Sequence, residues 1–241
     1  MDLLASTDMN LILYKAISKQ YDDNEILTYV NHMIPQNVLS QFKSNNYQEG
    51  QSFKILLQWF KNDFMKWMPK NLQCNVCNVQ MKLQLLPGNS WKERATEIYE
   101  CSKCGSKIVF PRYGDIKKIA QTRIGRCSEW SMLFGAILNS LSFPTRIVHD
   151  YLDHCWNEAY IRSRWIHIDS TLEYPISFNH PHYYEQNWSK EYELVIAFSS
   201  NRIEDVTRFY TEKWDNEVLI RRKKNKTDKK ISMISKEYLE L

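Results

Sequence analysis

The chain has 241 residues, 43% of them apolar and 25% charged, with a formal net charge of +4. That composition excludes a disordered chain, and the length allows one sizeable core with a smaller appendage but hardly two full domains. Six glycines and seven prolines are too few for a loop-rich β-sandwich or a collagen-like segment. The charge is also uneven: residues 221–230 hold seven Lys/Arg and one Asp, a local +6, which leaves −2 for the other 231 residues. The bulk of the chain therefore lacks the basic surface that nucleic-acid binding requires. The first thirty residues hold Asp2, Asp8, Asp22 and Asp23 without a basic start and apolar run, and no stretch approaches the ~18 apolar residues that cross a bilayer. The expectation is a soluble cytoplasmic chain, with the basic run read as a solvated helix face or, alternatively, as a nuclear address.

In chain order, the first fifty residues carry no motif and are expected to pack as helices, so residues 1–68 form an N-terminal helical segment. Two identical cysteine pairs follow, Cys74-Asn-Val-Cys77 and Cys101-Ser-Lys-Cys104, with 23 residues between them. Each tight C-x-x-C knuckle can offer two thiolates to one metal, and two knuckles close a tetrahedral shell of four sulfurs. Disulfides are a poor reading for a chain expected to be intracellular, and a redox C-x-x-C would explain one pair but not both. The expectation is one structural zinc ion held by Cys74, Cys77, Cys101 and Cys104 in a subdomain spanning 69–112, with no open position for a water.

Cys127 stands in Gly125-Arg126-Cys127-Ser128-Glu129-Trp130. Downstream, Trp130, Leu133, Phe134, Ile137, Leu138 and Leu141 recur with helical period until Ser142-Phe143-Pro144, where proline ends the pattern. Cys127 thus falls in the first turn of a buried helix, where free backbone N–H groups and the positive end of the dipole favour thiolate over thiol and can receive an oxyanion. An inert buried cysteine is the plainer alternative. Residues 145–149 read as a strand, 154–160 as a second and 164–169 as a third. Alternation places His154, Trp156, Glu158 and Tyr160 on one face of the second strand and Cys155, Asn157 and Ala159 on the other, so Cys155 reads as core filler. Asp169 closes the third strand. A helix-borne Cys followed by strand-borne His and Asp has the order of a papain-like triad: Cys127 as nucleophile, His154 as base and Asp169 as its orienter. His149, His167, His180 and His182 compete as base, but none meets an acidic strand end as His154 meets Asp169.

Those segments have a familiar pattern. GRCSEW at 125–130, DYLDHCWNEAY at 150–160, RWIHIDS at 164–170 and YEQNWSKEYELVIAFSSNRIEDVTRFY at 184–210 resemble the cytoplasmic peptide:N-glycanases of the transglutaminase-like superfamily. That family also carries paired C-x-x-C knuckles before its nucleophile, preceded by a helix rich in Phe and Trp, which LLQWFKNDFMKW at 56–67 matches. The resemblance runs from about residue 50 to about 222. It implies an α+β fold: a transglutaminase-like, papain-like cysteine hydrolase core over 113–220, the four-cysteine zinc-binding subdomain, and flanking N- and C-terminal helices, with 221–241 as a basic helical tail. The compact length resembles the short form of the family.

What the resemblance implies for function is removal of N-linked glycans from misfolded glycoproteins exported from the endoplasmic reticulum. Cys127, His154 and Asp169 take the catalytic positions. Trp67 and Trp165 match family tryptophans near the cleft, with core packing as the competing role; Trp156 and Glu158 match wall residues. A ubiquitin-shuttle protein of the proteasome pathway is the implied partner, through the terminal helices. Two departures stand out. Ser128 replaces the glycine usual after the nucleophile, and Ser170-Thr171-Leu172-Glu173 replaces Pro-Cys-Glu after the aspartate. Glu173 lies one position beyond the family's sugar-binding glutamate; an extended continuation would reverse its face, and a turn at Ser170-Thr171 would restore it. The alternatives are a scaffold that kept the fold without glycan turnover, or another thiol acyl-transfer enzyme.

Overall fold

The apolar stripe downstream of Cys127 becomes the helix around which the other elements pack. A computed structural model describes residues 3–44 and 50–240; residues 1, 2, 45–49 and 241 of the expected terminal segments lie outside the described residues. Four helices come first: α1 (Leu3–Gln20), α2 (Asn24–Asn31), α3 (Gln36–Ser44) and α4 (Gln51–Trp59), the last continuing into a π turn at Phe60–Phe64. Asp23 caps α2, its carboxylate accepting from the N–H groups of Glu25 and Ile26. The short β1 (Lys66–Trp67) leads to a three-stranded antiparallel sheet of β2 (Lys82–Pro87), β3 (Glu93–Glu100) and β4 (Lys107–Tyr113), in that spatial order. Then come α5 (Ile116–Thr122), β5 (Ile124–Gly125), which pairs in parallel with β1, and α6 (Cys127–Ser140).

A second sheet follows, built from β6 (Thr145–His149), β7 (Cys155–Ile161), β8 (Arg164–Ile168), β9 (Ile196–Ser199) and β10 (Arg202–Asp205), in the order β10-β9-β6-β7-β8. The six-residue α7 (Tyr183–Trp188) lies between β8 and β9, and α8 (Leu219–Asn225) and α9 (Thr227–Glu240) close the chain. Alternation along the strands separates two cores. Ile147, Ala159, Ile161, Ile166 and Ile168 face α6 and the N-terminal helices. Val148, Trp156 and Ala197 face Tyr184, Tyr192 and Tyr210 on the opposite side. On α6, Gly135 lets the Tyr21 hydroxyl reach the Ser131 and Met132 carbonyls, because a Cβ there would stand 2.3 Å from that oxygen. The basic run is not simply solvated: Arg222 is bound to Asp205 at 2.7 Å and Thr207 at 2.8 Å, and Arg221 donates to the Tyr192 carbonyl. Tyr238 of α9 is buried and donates to the Ser199 carbonyl at 2.7 Å.

Charge, more than apolar contact, joins the three-stranded sheet to α6. Arg126, just before the helix, forks onto both oxygens of Glu97 on β3 (2.7 and 2.6 Å). Arg112 of β4 bridges Glu97 (3.0 Å) and Glu129 of α6 (2.8 Å), and Arg94 of β3 reaches Glu129 at 2.5 Å. Ser128 joins this network, receiving bonds from Arg94 and Arg112 at 3.1 and 3.0 Å. Burial alone would raise the Glu97 carboxyl, but hydrogen bonds from Arg126 and Tyr99 hold it down at about 2.

Glu129→Gln leaves Arg94 and Arg112 without their shared charge, so stability should fall by ~3–5 kcal/mol, a drop in Tm of about 10 °C for a chain this size. The Glu97 contribution is fully present above the ordinary carboxyl pKa of about 4.3 and is lost as pH falls towards 2. Melting curves should therefore show the gap between the unsubstituted protein and Glu97→Gln closing across that window.

Candidate active site

Cys127 is the first residue of α6. The backbone N–H of Arg126 is taken by the Glu129 carboxylate at 3.0 Å, and the first N–H groups of the helix have no partner within it. Gly125 permits this tight start, since a Cβ there would lie 2.4 Å from that of Glu129. The pairing of Trp67 with Gly125 brings the β1 tryptophan beside the same helix end. There it stands half exposed, its ring 6.0 Å from Trp130.

His154 immediately precedes β7. Its N–H and that of Leu152 bind the Asp150 carboxylate, which fixes a turn with left-handed residues at Tyr151 and Asp153. Asp169 immediately follows β8, the strand next to β7, and its Oδ2 meets His154 Nε2 at 2.8 Å. Thr171 donates its N–H (2.9 Å) and its hydroxyl (2.7 Å) to Oδ1, and the Tyr184 hydroxyl donates to Oδ2 at 2.8 Å. With Nε2 committed to Asp169, Nδ1 is the nitrogen left for the thiol.

The groups polarise one another. Cys127 is pulled well below the usual thiol range, first by hydrogen bonding from Cys155 and then, against burial, by the hydrogen bond and charge of His154. Burial would lower His154, but the Asp169 charge and hydrogen bond, with Cys127 beyond, raise it to about 10. Asp169, despite burial, is held at about 2 by His154. The favoured state is a thiolate facing an imidazolium. Cys155 differs from expectation. It is buried and its thiol is pushed well up by its bond to Cys127, so it sits against the reactive sulfur and 3.3 Å from Ser131 Oγ. The alternation that separated it from His154 does not apply, because His154 lies before the strand begins.

A cleft of about 610 Å³ opens on Cys127 and His154, walled by Trp67, Trp130, Leu172 and Trp188 among others. Of the expected substrate residues, Trp67 lines it. Trp165 does not: it packs under the Arg146 guanidinium, 4.1 Å from the ring centroid, where that arginine pairs with Glu158. Glu173 is exposed and paired with Lys61 at 3.1 Å, while Leu172 takes the wall position. The chain after Asp169 turns rather than extending, because Asp169 Oδ1 accepts from Thr171 and the Asp169 carbonyl from Leu172 N–H. Trp188, which sequence reasoning did not single out, stands edge-on 5.1 Å from the His154 ring. Its helix has only six residues, too short for a periodicity to mark it. Among the competing histidines, half-buried His149 is pushed down to about 4, and fully buried His167 to about 3, by desolvation.

The two knuckles fold alike. The N–H of Asn78 returns to the Cys74 carbonyl at 2.8 Å and that of Gly105 to the Cys101 carbonyl at 2.9 Å, each from a left-handed residue. The four cysteine sulfurs lie within 4.8 Å of one another, with Cys74 and Cys104 at 3.6 Å. Sulfurs at ~2.3 Å from one tetrahedral metal would be ~3.8 Å apart, so the set fits a single ion.

A lowered Cys127 should keep its reactivity in mild acid. Its alkylation by iodoacetamide at pH 6 should stay close to the rate at pH 8, where an ordinary thiol would lose about 80-fold. Cys155→Ala removes a donor to the thiolate, so the alkylation profile of that variant should move to higher pH.

A model of the transglutaminase-like superfamily matches residues 86–170. Proteins named peptide-N(4)-(N-acetyl-beta-glucosaminyl)asparagine amidase are similar to this chain in Caenorhabditis briggsae (33% identity over 82% of this chain), Saccharomyces cerevisiae (36% over 74%) and Homo sapiens (37% over 71%). The chain spans 33%, 53% and 27% of those relatives, about half their length or less. Among solved structures, a chain of a Rad4/XPC nucleotide excision repair complex is similar with a TM-score of 0.56 at 12% identity, covering 94% of this chain and 55% of that one; this likeness is one of fold. The chain carries a domain of the transglutaminase-like superfamily and shares most of its length with the peptide-N(4)-(N-acetyl-beta-glucosaminyl)asparagine amidases.

Proposed function

We propose that this protein is a peptide:N-glycanase, hydrolysing the amide bond between an N-linked glycan and its asparagine by Cys-His-Asp thiol catalysis. The observation that carries the reading is the alignment of Cys127, His154 and Asp169, with His154 Nε2 2.8 Å from Asp169, in a cleft walled by Trp67 and Trp188. The Cys127 thiolate attacks the side-chain carbonyl carbon of the glycosylated asparagine. The oxyanion that forms is stabilised by the free N–H groups at the start of α6. His154 gives its proton to the departing glycosylamine nitrogen as the C–N bond breaks, leaving a thioester. The neutral imidazole then takes a proton from water, the thioester is hydrolysed, and aspartate remains where asparagine stood. Indole faces suit stacking on sugar rings. In keeping with the family resemblance, the substrates are misfolded glycoproteins in the cytosol, delivered by a ubiquitin-shuttle partner.

The four-cysteine centre holds zinc in this reading. Four sulfurs leave no open position, so the ion holds β2–β4 and, through the arginine–glutamate network, the start of α6. It supplies folding free energy and no step of the reaction.

Cys127→Ala should abolish glycan release from a denatured glycopeptide, scored by mass spectrometry, with the melting temperature unchanged; full activity would remove the proposal. Asp169→Asn should lower kcat by about 10⁴ with little change in KM, as for loss of the orienting carboxylate in other triads. Purified protein should contain one zinc per chain by elemental analysis, and Cys101→Ser should lose metal, melting temperature and activity together.

A further inference from the structure

Among the described residues, four donors fill the acceptor sites of the Asp169 carboxylate: Thr171 N–H and hydroxyl on Oδ1, His154 Nε2 and the Tyr184 hydroxyl on Oδ2. Tyr184 is fully buried on α7, and a second histidine lies behind it. His167 Nε2 is 2.6 Å from the Tyr184 oxygen. The Tyr184 hydroxyl thus lies within hydrogen-bond distance of both His167 Nε2 and Asp169 Oδ2. His167 has no exposed surface, and burial keeps its ring neutral. Its Nδ1 faces the backbone N–H of His180 at 3.3 Å and must accept there. A neutral ring that accepts at Nδ1 donates at Nε2. Tyr184 therefore receives from His167 and has its own proton left for Asp169.

We infer that His167 and Tyr184 are positioning residues of the active site, forming a one-way hydrogen-bond line from His167 Nε2–H to Tyr184 Oη–H to Asp169 Oδ2 that fixes the carboxylate plane and so holds His154 with Nδ1 towards Cys127. The inference rests on the reading of Cys127 as the nucleophile. The direction of the line matters. With its last free site occupied by a donor, Asp169 cannot take up the His154 proton or rotate to another partner, so the Nε2–H tautomer is the one presented to it. Neither residue touches the cleft, since neither lines it. The groups facing His154 are Asp169, Cys127, His149 and His167, and those facing Cys127 are Cys155, His154 and Glu129. None of these replaces the tyrosine hydroxyl at Asp169.

Tyr184→Phe keeps the ring that packs on Trp156, His154 and Trp188 and removes one oxygen. Two measurements test it. With a denatured glycopeptide, kcat should fall about ten-fold, the scale of one charge-assisted hydrogen bond, with KM within about two-fold. Iodoacetamide alkylation of Cys127 should slow several-fold at pH 6 and match the unsubstituted protein at pH 9, because a loosened His154 no longer sustains the thiolate. His167→Leu should reproduce both changes, and His167→Gln, whose amide nitrogen stands near the Nε2 donor, should recover most of the loss. In an Asp169→Asn background, Tyr184→Phe should have no further effect on alkylation, since the line then has no carboxylate to hold. An alkylation profile unchanged or faster at pH 6 in Tyr184→Phe, or an effect that simply adds to that of Asp169→Asn, would overturn the inference. Absence of glycan release by the unsubstituted protein would instead sink the deglycosylase reading and leave the alkylation arm standing.

Discussion

The position of Cys127 at the start of α6 depends on two buried carboxylates. Glu97 and Glu129 face Arg94, Arg112 and Arg126 across the seam between the three-stranded sheet and α6, and Glu129 also takes the N–H that opens the helix. A buried charge without its partner costs several kcal/mol, so the network is satisfied as a unit or not at all. The sheet carrying the cysteine knuckles is thereby tied to the residue just before Cys127. The four-cysteine cluster, which could hold a metal ion, and Cys127 are joined through this seam although the cluster does not line the cleft.

Ser128 shows how such a seam accommodates a sequence departure. A hydroxyl in place of glycine could have intruded on the cleft. Instead it turns into the network, accepting from two arginines and donating to Glu129. The departure after Asp169 is absorbed differently. Lys61 binds the Thr171 carbonyl at 2.7 Å and pairs with Glu173, so the turn is held from outside and Leu172 faces the cleft. Leu172 and Trp188 thus line the cleft near His154, and Glu173 is not among its lining residues.

On the far side of the second sheet, polar groups and aromatic rings are packed together. Trp156 stacks on Tyr184 and donates to the Tyr210 hydroxyl, which in turn donates to Glu158 at 2.6 Å. Glu158 holds Arg146 over Trp165. The residues matched to a wall role are therefore a support layer behind the site: their hydrogen bonds satisfy buried groups, and their rings fix the strand faces from which His154 and Asp169 emerge.

The sequence by itself determined the elements whose signals are local. Periodicity and a terminating proline marked the helix of Cys127, alternation marked β6 to β8, and repeated C-x-x-C spacing marked the sulfur cluster; the order Cys, His, Asp pointed to three residues that the fold brings together. Tertiary structure decided everything that depends on facing across elements. That Cys155 touches Cys127, that Trp165 lies under an arginine and Trp188 in the cleft, and that two basic residues of the 221–230 run are bound to Asp205 and a backbone carbonyl follow from how helices and strands meet. The same holds for the line from His167 through Tyr184 to Asp169, whose members sit on β8, on a six-residue helix and just past a strand end. A hydrogen bond needs two groups within about 3 Å in a fixed orientation, and spacing along a chain specifies that only within one element.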